Sequence, residues 1–418
     1  MSAKEKVACV IGCGLEAGLA LLAFGWSGGV HDTQREVALF FVTSVLYLAG
    51  LVWVSRLGGG IRTSVLLGWA LVFRLTAFWM PPLFSDDLYR YRWEGQVAAA
   101  GMTSYDFRPA DPAVAPFFDQ RVDGKDFKPV YGPLLQTLQW GLVELGGGSL
   151  WAMKLGACAG ELALSWLLFQ WVTEKWRWLA WGWCPLGIVE FWGMGHHDAV
   201  MAALAIGAVW LAERRKWPWA FVLLGLAGAT KYWPLLLWPA FVRLGGLRWA
   251  WVAPAVFGLC WWPWWTDVTE NARYMGGFVG GWRNNDALFG VILALAGSLD
   301  AAKRAAFALI VIGSFAAAIW VRSARQAYWV VALTILLVSA NVHPWYLTWI
   351  LPLAVFHWPW PVLVWATFAP VHYAVLIRWR EEHIWEGLSN WRWAVYLPVL
   401  AALVVQLIRR KHVGDPRP

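Results

Sequence analysis

A chain of 418 residues that is 60% hydrophobic and only 14% charged is not a soluble domain, in which about a quarter of residues carry charge. It reads as an all-α, polytopic integral membrane protein. The net charge of +8 does not call for a nucleic-acid partner, because membrane proteins gather Lys and Arg on their cytoplasmic side. The five cysteines have no disulfide or metal-ligand spacing, which excludes a disulfide scaffold and a thiolate metal site.

A transmembrane helix needs about 20 apolar residues. In chain order the apolar runs predict helices near 7–25, 36–54, 62–80, 150–172, 178–195, 197–212, 217–231, 233–246, 249–265, 303–322, 327–343, 345–357, 359–377 and 393–408. Several are short, so the expected range is 12–14 spans in a single domain covering 1–418. Lys4 and Lys6 precede the first run as in a signal peptide, but no small-residue cleavage site follows, so it is kept as a helix. GCGLEAG near residue 12 lies inside that helix with no preceding strand; close helix packing suits it better than nucleotide binding.

If all fourteen runs cross, the basic clusters fall on one side: Lys4/Lys6, Arg56/Arg62, Lys175/Arg177, Arg214/Arg215/Lys216, Arg243/Arg248, Arg322/Arg325 and Arg409/Arg410/Lys411. That side is expected to be cytoplasmic, with both termini there, in the plasma or inner membrane. The 37 tryptophans, many in runs such as WPW and WWPWW, suit anchoring at the two interfaces. The opposite, external side receives a long polar loop at 81–130, an interfacial helix at 131–147, the Gly195–Asp198 region, a second loop at 266–300, and His343.

The first loop carries the densest polar cluster, FSDDLYRYRWEGQVAAAGMTSYDFRP. Asp86 and Asp87 are adjacent carboxylates at a water–membrane boundary; they suit a general base or a shared cation, or else a helix N-cap. Tyr89, Arg90 and Glu94 follow on a short helix, where Arg90 and Glu94 stand at i,i+4 and either pair or face substrate. In GMGHHDA, His197 and Asp198 read as a hydrogen-bonding cluster for a polar ligand in preference to a metal site or a helix cap. Lys231 interrupts an apolar run; a lysine at mid-membrane costs roughly 2.5–3.5 kcal/mol, so it either snorkels or meets an anionic headgroup. Arg283 and His343 add basic character on the same side, whereas Glu16, Glu161 and Glu190 read as packing or interfacial residues.

An acidic group and several cations at one membrane boundary fit glycosyl transfer from a lipid phosphate. The departing phosphate gains charge without needing a proton, so cations stabilise it. The acceptor hydroxyl needs one base, unlike the two carboxylates of a glycosidase. A divalent cation, magnesium or manganese, is compatible with this chemistry but not required. The competing reading is a transporter or flippase for a lipid-linked glycan. It predicts polar residues along a path across the bilayer, whereas here they collect on one face.

The motifs also carry a resemblance. SDDLYRYRWEGQVAAAGMTSYDF is similar to the signature SDD-x-YRY-x-W-D/E-G of bacterial C-type (GT-C) membrane glycosyltransferases, relatives of the polyprenol-phosphate-mannose-dependent mannosyltransferases and, more distantly, of GPI mannosyltransferase I. YGPLLQ, GHHDA, ATKYWPLLLWP and HPWYLTWILP resemble further motifs of these proteins in the same order, over about residues 80–355. Gly132 stands where they carry proline, and His197 where they carry asparagine. The resemblance implies an inverting transfer on the external face, with a polyprenyl-phosphate sugar as donor and an acidic residue of the first loop, Asp86 or Asp87, as base. Tyr89, Arg90 and Glu94 would then shape the pocket, Lys231, Arg283 and His343 would meet the lipid phosphate, and His197 and Asp198 would contact sugar or phosphate. Mannose is what the resemblance implies for the sugar. The acceptor stays open.

Overall fold

A computed structural model describes residues 1–25, 32–122, 124–269, 271, 283–385 and 391–413. Among these every named element is a helix, and sheet-like pairing is limited to an isolated bridge between Asn284 and Asn341. The polytopic all-α architecture expected from the composition is therefore what the chain adopts. Much of the second external loop, 272–282, lies outside the described residues.

The first helices are α1 (Ala3–Phe24), α2 (Thr33–Leu57) and α3 (Thr63–Phe78). Ser2 and Glu5 start α1 with a capping box, and Gly58 ends α2 in the left-handed region at φ 63°. Gly12 and Gly14 lie against Trp69 and Leu46 of the neighbouring helices, which is the close packing expected of GCGLEAG. The polar loop holds α4 (Asp87–Ala99), followed by α5 (Pro133–Gly146), with proline in its first turn, and α6 (Leu150–Trp171), capped by Ser149.

Among the described residues six helical stretches are long and apolar enough to cross a membrane by themselves: α1, α2, α6, Leu299–Trp320, Trp360–Glu382 (with a 3-10 turn at Ala369–Ala374) and Trp391–Arg409. Others that were expected as unbroken spans are interrupted. The 178–195 run divides into turns at Leu179–Gly182 and Pro185–Ile188 and a π-helical segment Val189–Gly193. The 233–246, 249–265 and 345–357 runs each contain a 3-10 segment with proline in its first turn, at Trp233–Leu237, Trp262–Asp267 and Leu351–Phe356. Proline lacks an N–H and clashes with the preceding turn, so an apolar run that contains one need not be one helix. Non-helical backbone at membrane depth persists only where protein covers it. Residues 178–199 are buried throughout.

Contacts bring the basic residues to one end. Lys4 donates to the Leu57 carbonyl at 2.8 Å, and Arg62 pairs with Glu5. Trp176 lies against Gly59 and Trp358, Arg177 donates to the Phe356 carbonyl, and Arg325 covers the Phe356 ring. The Arg325 amide reaches Glu213, and Arg243 reaches the Val321 carbonyl. At the opposite end, Arg380 joins Thr33 at the start of α2 to the Leu83 carbonyl ahead of α4.

Candidate active site

The site is built on the first turns of α4. Helical spacing puts Asp87, Tyr91 and Glu94 on the face that meets α5 and α6, while Tyr89 and Arg92 point towards the rest of the polar loop. Asp87 occupies the centre. Its Oδ2 accepts from the Tyr131 hydroxyl at 3.1 Å and from the Tyr91 hydroxyl at 3.4 Å, and lies 3.7 Å from His196 Nε2. Its Oδ1 has no hydrogen-bond partner among the described residues, and the side chain keeps 26% of its surface. Asp86 has a different task. Its carbonyl accepts the Tyr89 and Arg90 amides as the N-cap of α4, with no side-chain cap bond.

Tyr131 owes its place to the next residue. The Gly132 amide donates to the Thr230 carbonyl at 3.0 Å, and a Cβ on Gly132 would come within 2.3 Å of the Ala229 carbonyl oxygen. Proline at this position would have neither the N–H nor the room, so glycine here docks Tyr131 against the helix Trp217–Thr230. Lys231 is the residue just past that helix. Its Nζ donates to Asp198 Oδ1 at 2.8 Å, and the rings of Tyr346, Trp349 and Tyr131 surround it at 4.6, 4.8 and 5.7 Å. Trp349 Nε1 donates to the same Asp198 oxygen at 2.8 Å. Asp198 Oδ2 is buried without a partner among the described residues, and Lys231 retains 20% of its side-chain surface. Tyr131 thus touches both halves of the site, with its hydroxyl on the carboxylate and its ring on the ammonium.

The GHHDA turn contributes in a way the sequence did not foretell. Gly195, at φ +76°, reverses the chain where a Cβ would strike Leu88 and Lys154. His196 then faces Asp87, with Nε2 3.0 Å from Ser85 Oγ and Nδ1 3.0 Å from Glu190 Oε2. His197 turns away, stacking on Tyr91 at 4.3 Å and pairing with the Met153 carbonyl at 2.9 Å. His196 is thus the histidine at the carboxylate, and Glu190, expected to be a packing residue, belongs to the same cluster. His343 reaches it through a ring: Trp345 is sandwiched between His196 at 4.4 Å and His343 at 4.2 Å. Behind it, the Asn284 amide donates to His343 Nδ1 and accepts from His372 Nε2.

Other expected site residues sit further off. Arg90 pairs with Glu94 at 2.9 Å and donates to the carbonyls of Gly124 and Phe127, clamping the loop. Gln136 holds the other Glu94 oxygen at 2.7 Å; burial pushes this carboxyl above its ordinary range although Arg90 and Gln136 oppose the shift. Tyr89 lies under the guanidinium of Arg121, 4.4 Å away. Arg283 is taken up by Asp286 at 2.6 Å, which Arg392 also meets at 3.4 Å. Among the described residues no group of three or more His, Cys, Asp or Glu side chains is arranged to hold a metal ion.

A carboxylate with one oxygen held and one open, joined through Tyr131 to a caged ammonium, can remove a proton and face an anion at the same site. Comparison with known proteins agrees in kind. No curated protein matches the chain. Residues 9–253, more than half of the sequence and the part that includes Asp87, Tyr131, His196, Asp198 and Lys231, match the MptA_B family, described as alpha-(1->6)-mannopyranosyltransferase, N-terminal domain. The chain belongs to this family of mannosyltransferases.

Proposed function

We propose that this membrane mannosyltransferase is of the C type and takes mannose from a polyprenyl-phosphate donor, passing it with inversion to an acceptor hydroxyl at the non-cytoplasmic face. The observation that carries the reading is the asymmetry of Asp87: Oδ2 is fixed by Tyr131 and Tyr91, and Oδ1 is open. Oδ1 takes the acceptor proton as the new bond forms at the anomeric carbon. The bond from that carbon to the phosphate oxygen breaks, and the polyprenyl phosphate leaves with one more negative charge. Lys231, whose ammonium spends one hydrogen bond on Asp198, faces that charge with its remaining donors. Inversion that yields an α-linked product requires a β-linked donor.

A divalent cation is compatible with this chemistry and not required by it; the steps above run through the protein's own side chains. The assignment of faces rests on charge. Lys4, Arg62, Arg177, Arg243 and Arg325 share one end of the bundle, and cytoplasmic ends of membrane proteins are rich in such residues. The N-terminus lies at that end, and Gln406 of the last helix meets the Trp360 amide near it. We therefore place both termini in the cytoplasm and the site at the external boundary, where the donor's lipid tail remains in the bilayer.

The test is transfer by purified protein in lipid nanodiscs from β-linked polyprenyl-phosphate mannose to a membrane lipid extract, with Asp87→Asn and Asp86→Asn alongside. The reading expects transfer to vanish in Asp87→Asn, to survive in Asp86→Asn, and to give an α-linked product. Full transfer by Asp87→Asn, or use of a nucleotide sugar in place of the lipid donor, would overturn it. Lipid movement between leaflets without transfer would instead make the protein a flippase.

A further inference from the structure

Behind Asp87 lies a line of polar side chains that neither packing nor proton removal explains. His196 and Glu190 are fully buried. The imidazole has a carboxylate at each end: Glu190 Oε2 lies 3.0 Å from Nδ1, and Asp87 Oδ2 lies 3.7 Å from Nε2. Ser85 fills the space between, with its Oγ 3.0 Å from Nε2 and accepting the Asp87 amide at 3.2 Å. The second Glu190 oxygen accepts from the Tyr373 hydroxyl at 2.7 Å, and the His196 amide donates to the Glu190 carbonyl at 3.0 Å. One ring face is stacked on Trp345. The imidazole is thus hydrogen-bonded at Nε2, stacked on one face, and set with Nδ1 against Glu190 Oε2, two buried atoms that are close without being aligned for a hydrogen bond.

A buried ion-pairing group is a poor source of stability, because desolvation offsets most of the attraction and an apolar side chain of equal volume serves as well. The Trp345 stack needs only a flat ring. What a phenylalanine would lack is the pair of nitrogens, one facing Glu190 and the other facing Ser85 and Asp87. We infer that His196, braced by Glu190, is a positioning residue for the Asp87 carboxylate. It fixes which oxygen turns to the two tyrosines and which is left for the acceptor. The inference rests on the reading of Asp87 as the base. Glu190 acts on Asp87 only through the imidazole.

Three variants test it in the steady-state transfer assay: His196→Phe, which keeps a ring for Trp345, Glu190→Gln, which keeps an acceptor for Tyr373, and the two combined. Misplacing a reacting group by an ångström costs about 100-fold. His196→Phe is therefore expected to lower kcat by about 100-fold with donor KM within about threefold of wild type. Glu190→Gln should lose about 10-fold, and the double variant should match His196→Phe alone, because effects through one group do not add. Should His196→Phe fail to fold, His196→Gln, whose amide N–H reaches towards Ser85, takes its place with an intermediate kcat expected. A raised donor KM at unchanged kcat would make the ring a pocket wall and overturn the inference, as would losses that add in the double variant. An inactive Asp87→Asn beside a fully active His196 variant would remove the positioning role alone. An active Asp87→Asn would remove the base itself.

Discussion

Two of the clusters of buried charge in this protein differ in what is left unsatisfied. In the first, Arg74 of α3 meets Glu161 of α6 in a two-pronged pair at 2.8 and 2.6 Å. Glu161 also accepts from Ser165 and from Trp192, while Arg74 donates to the carbonyls of Ala70 and Gly182. Both side chains are almost fully buried. In the second, Asp87 and Asp198 each have one oxygen without a hydrogen-bond partner among the described residues, and both Asp87 and Lys231 keep part of their surface. A closed network locks helices together. An open one waits for a ligand. An intramembrane charge is a functional candidate by default, and the pair Arg74–Glu161 shows how saturation of its hydrogen bonds overrides that default.

The comparison can be broken by substitutions that separate stability from transfer. Asp87→Asn keeps the volume and both tyrosine contacts but removes the proposed base, so kcat should fall by about 10²–10⁴-fold. Its melting temperature in detergent should stay at the wild-type value. Arg74→Met does the reverse: stranding Glu161 in a dry interior should cost about 3–5 kcal/mol of stability, read as loss of monodisperse protein on gel filtration. Any Arg74→Met that does fold should turn over normally. An Asp87→Asn that unfolds, or a stable Arg74→Met without activity, would reverse the roles of the two clusters.

Lys231 sharpens the contrast, because it belongs to both kinds of arrangement. Removing it alone strands Asp198, so the informative variant is Lys231→Met combined with Asp198→Asn, which still accepts from Trp349. If the ammonium serves the departing phosphate, kcat/KM for the lipid donor should fall by about 100-fold, near the loss seen when one charge-stabilising donor is removed. Unchanged transfer by a folded double variant would make the pair a structural one like Arg74–Glu161.

Much of this was legible in the sequence, and the failures have particular causes. Apolar runs located the helices, since hydrophobic length alone identifies a span, but the breaks at Pro234, Pro263 and Pro352 and the π segment Val189–Gly193 depend on local backbone that hydropathy averages away. Asp86 and Asp87 stood out together as candidates in the densest polar cluster of an apolar chain, and the sequence did not choose between them. The partner at i,i+4 was also visible: Arg90 and Glu94 do pair. Which of the two histidines in GHHDA faces the carboxylate was not, because a left-handed Gly195 decides it and adjacent residues carry no helical period there. Glu190 was hidden for a similar reason. Its partners, His196 and Tyr373, lie 6 and 183 residues away, and only the fold joins the second.

Arg283 gives the smallest expected effect, and its value lies in that smallness. The sequence placed it with Lys231 and His343 on the phosphate side. In the structure its guanidinium is bonded to Asp286 through Nε and Nη2, at 3.2 and 2.6 Å, and Asp286 is met from its other oxygen by Arg392 of the last helix. Arg283→Gln therefore leaves Asp286 with a cation and removes none of the partners of Asp87. Donor KM and kcat should stay within about threefold of wild type, the range in which no interaction specific to the transition state has been lost. A tenfold rise in donor KM would mean that Arg283 leaves Asp286 when donor binds. The closed pair would then be the resting form of an open one, and saturation of hydrogen bonds would no longer separate the two kinds of charge cluster.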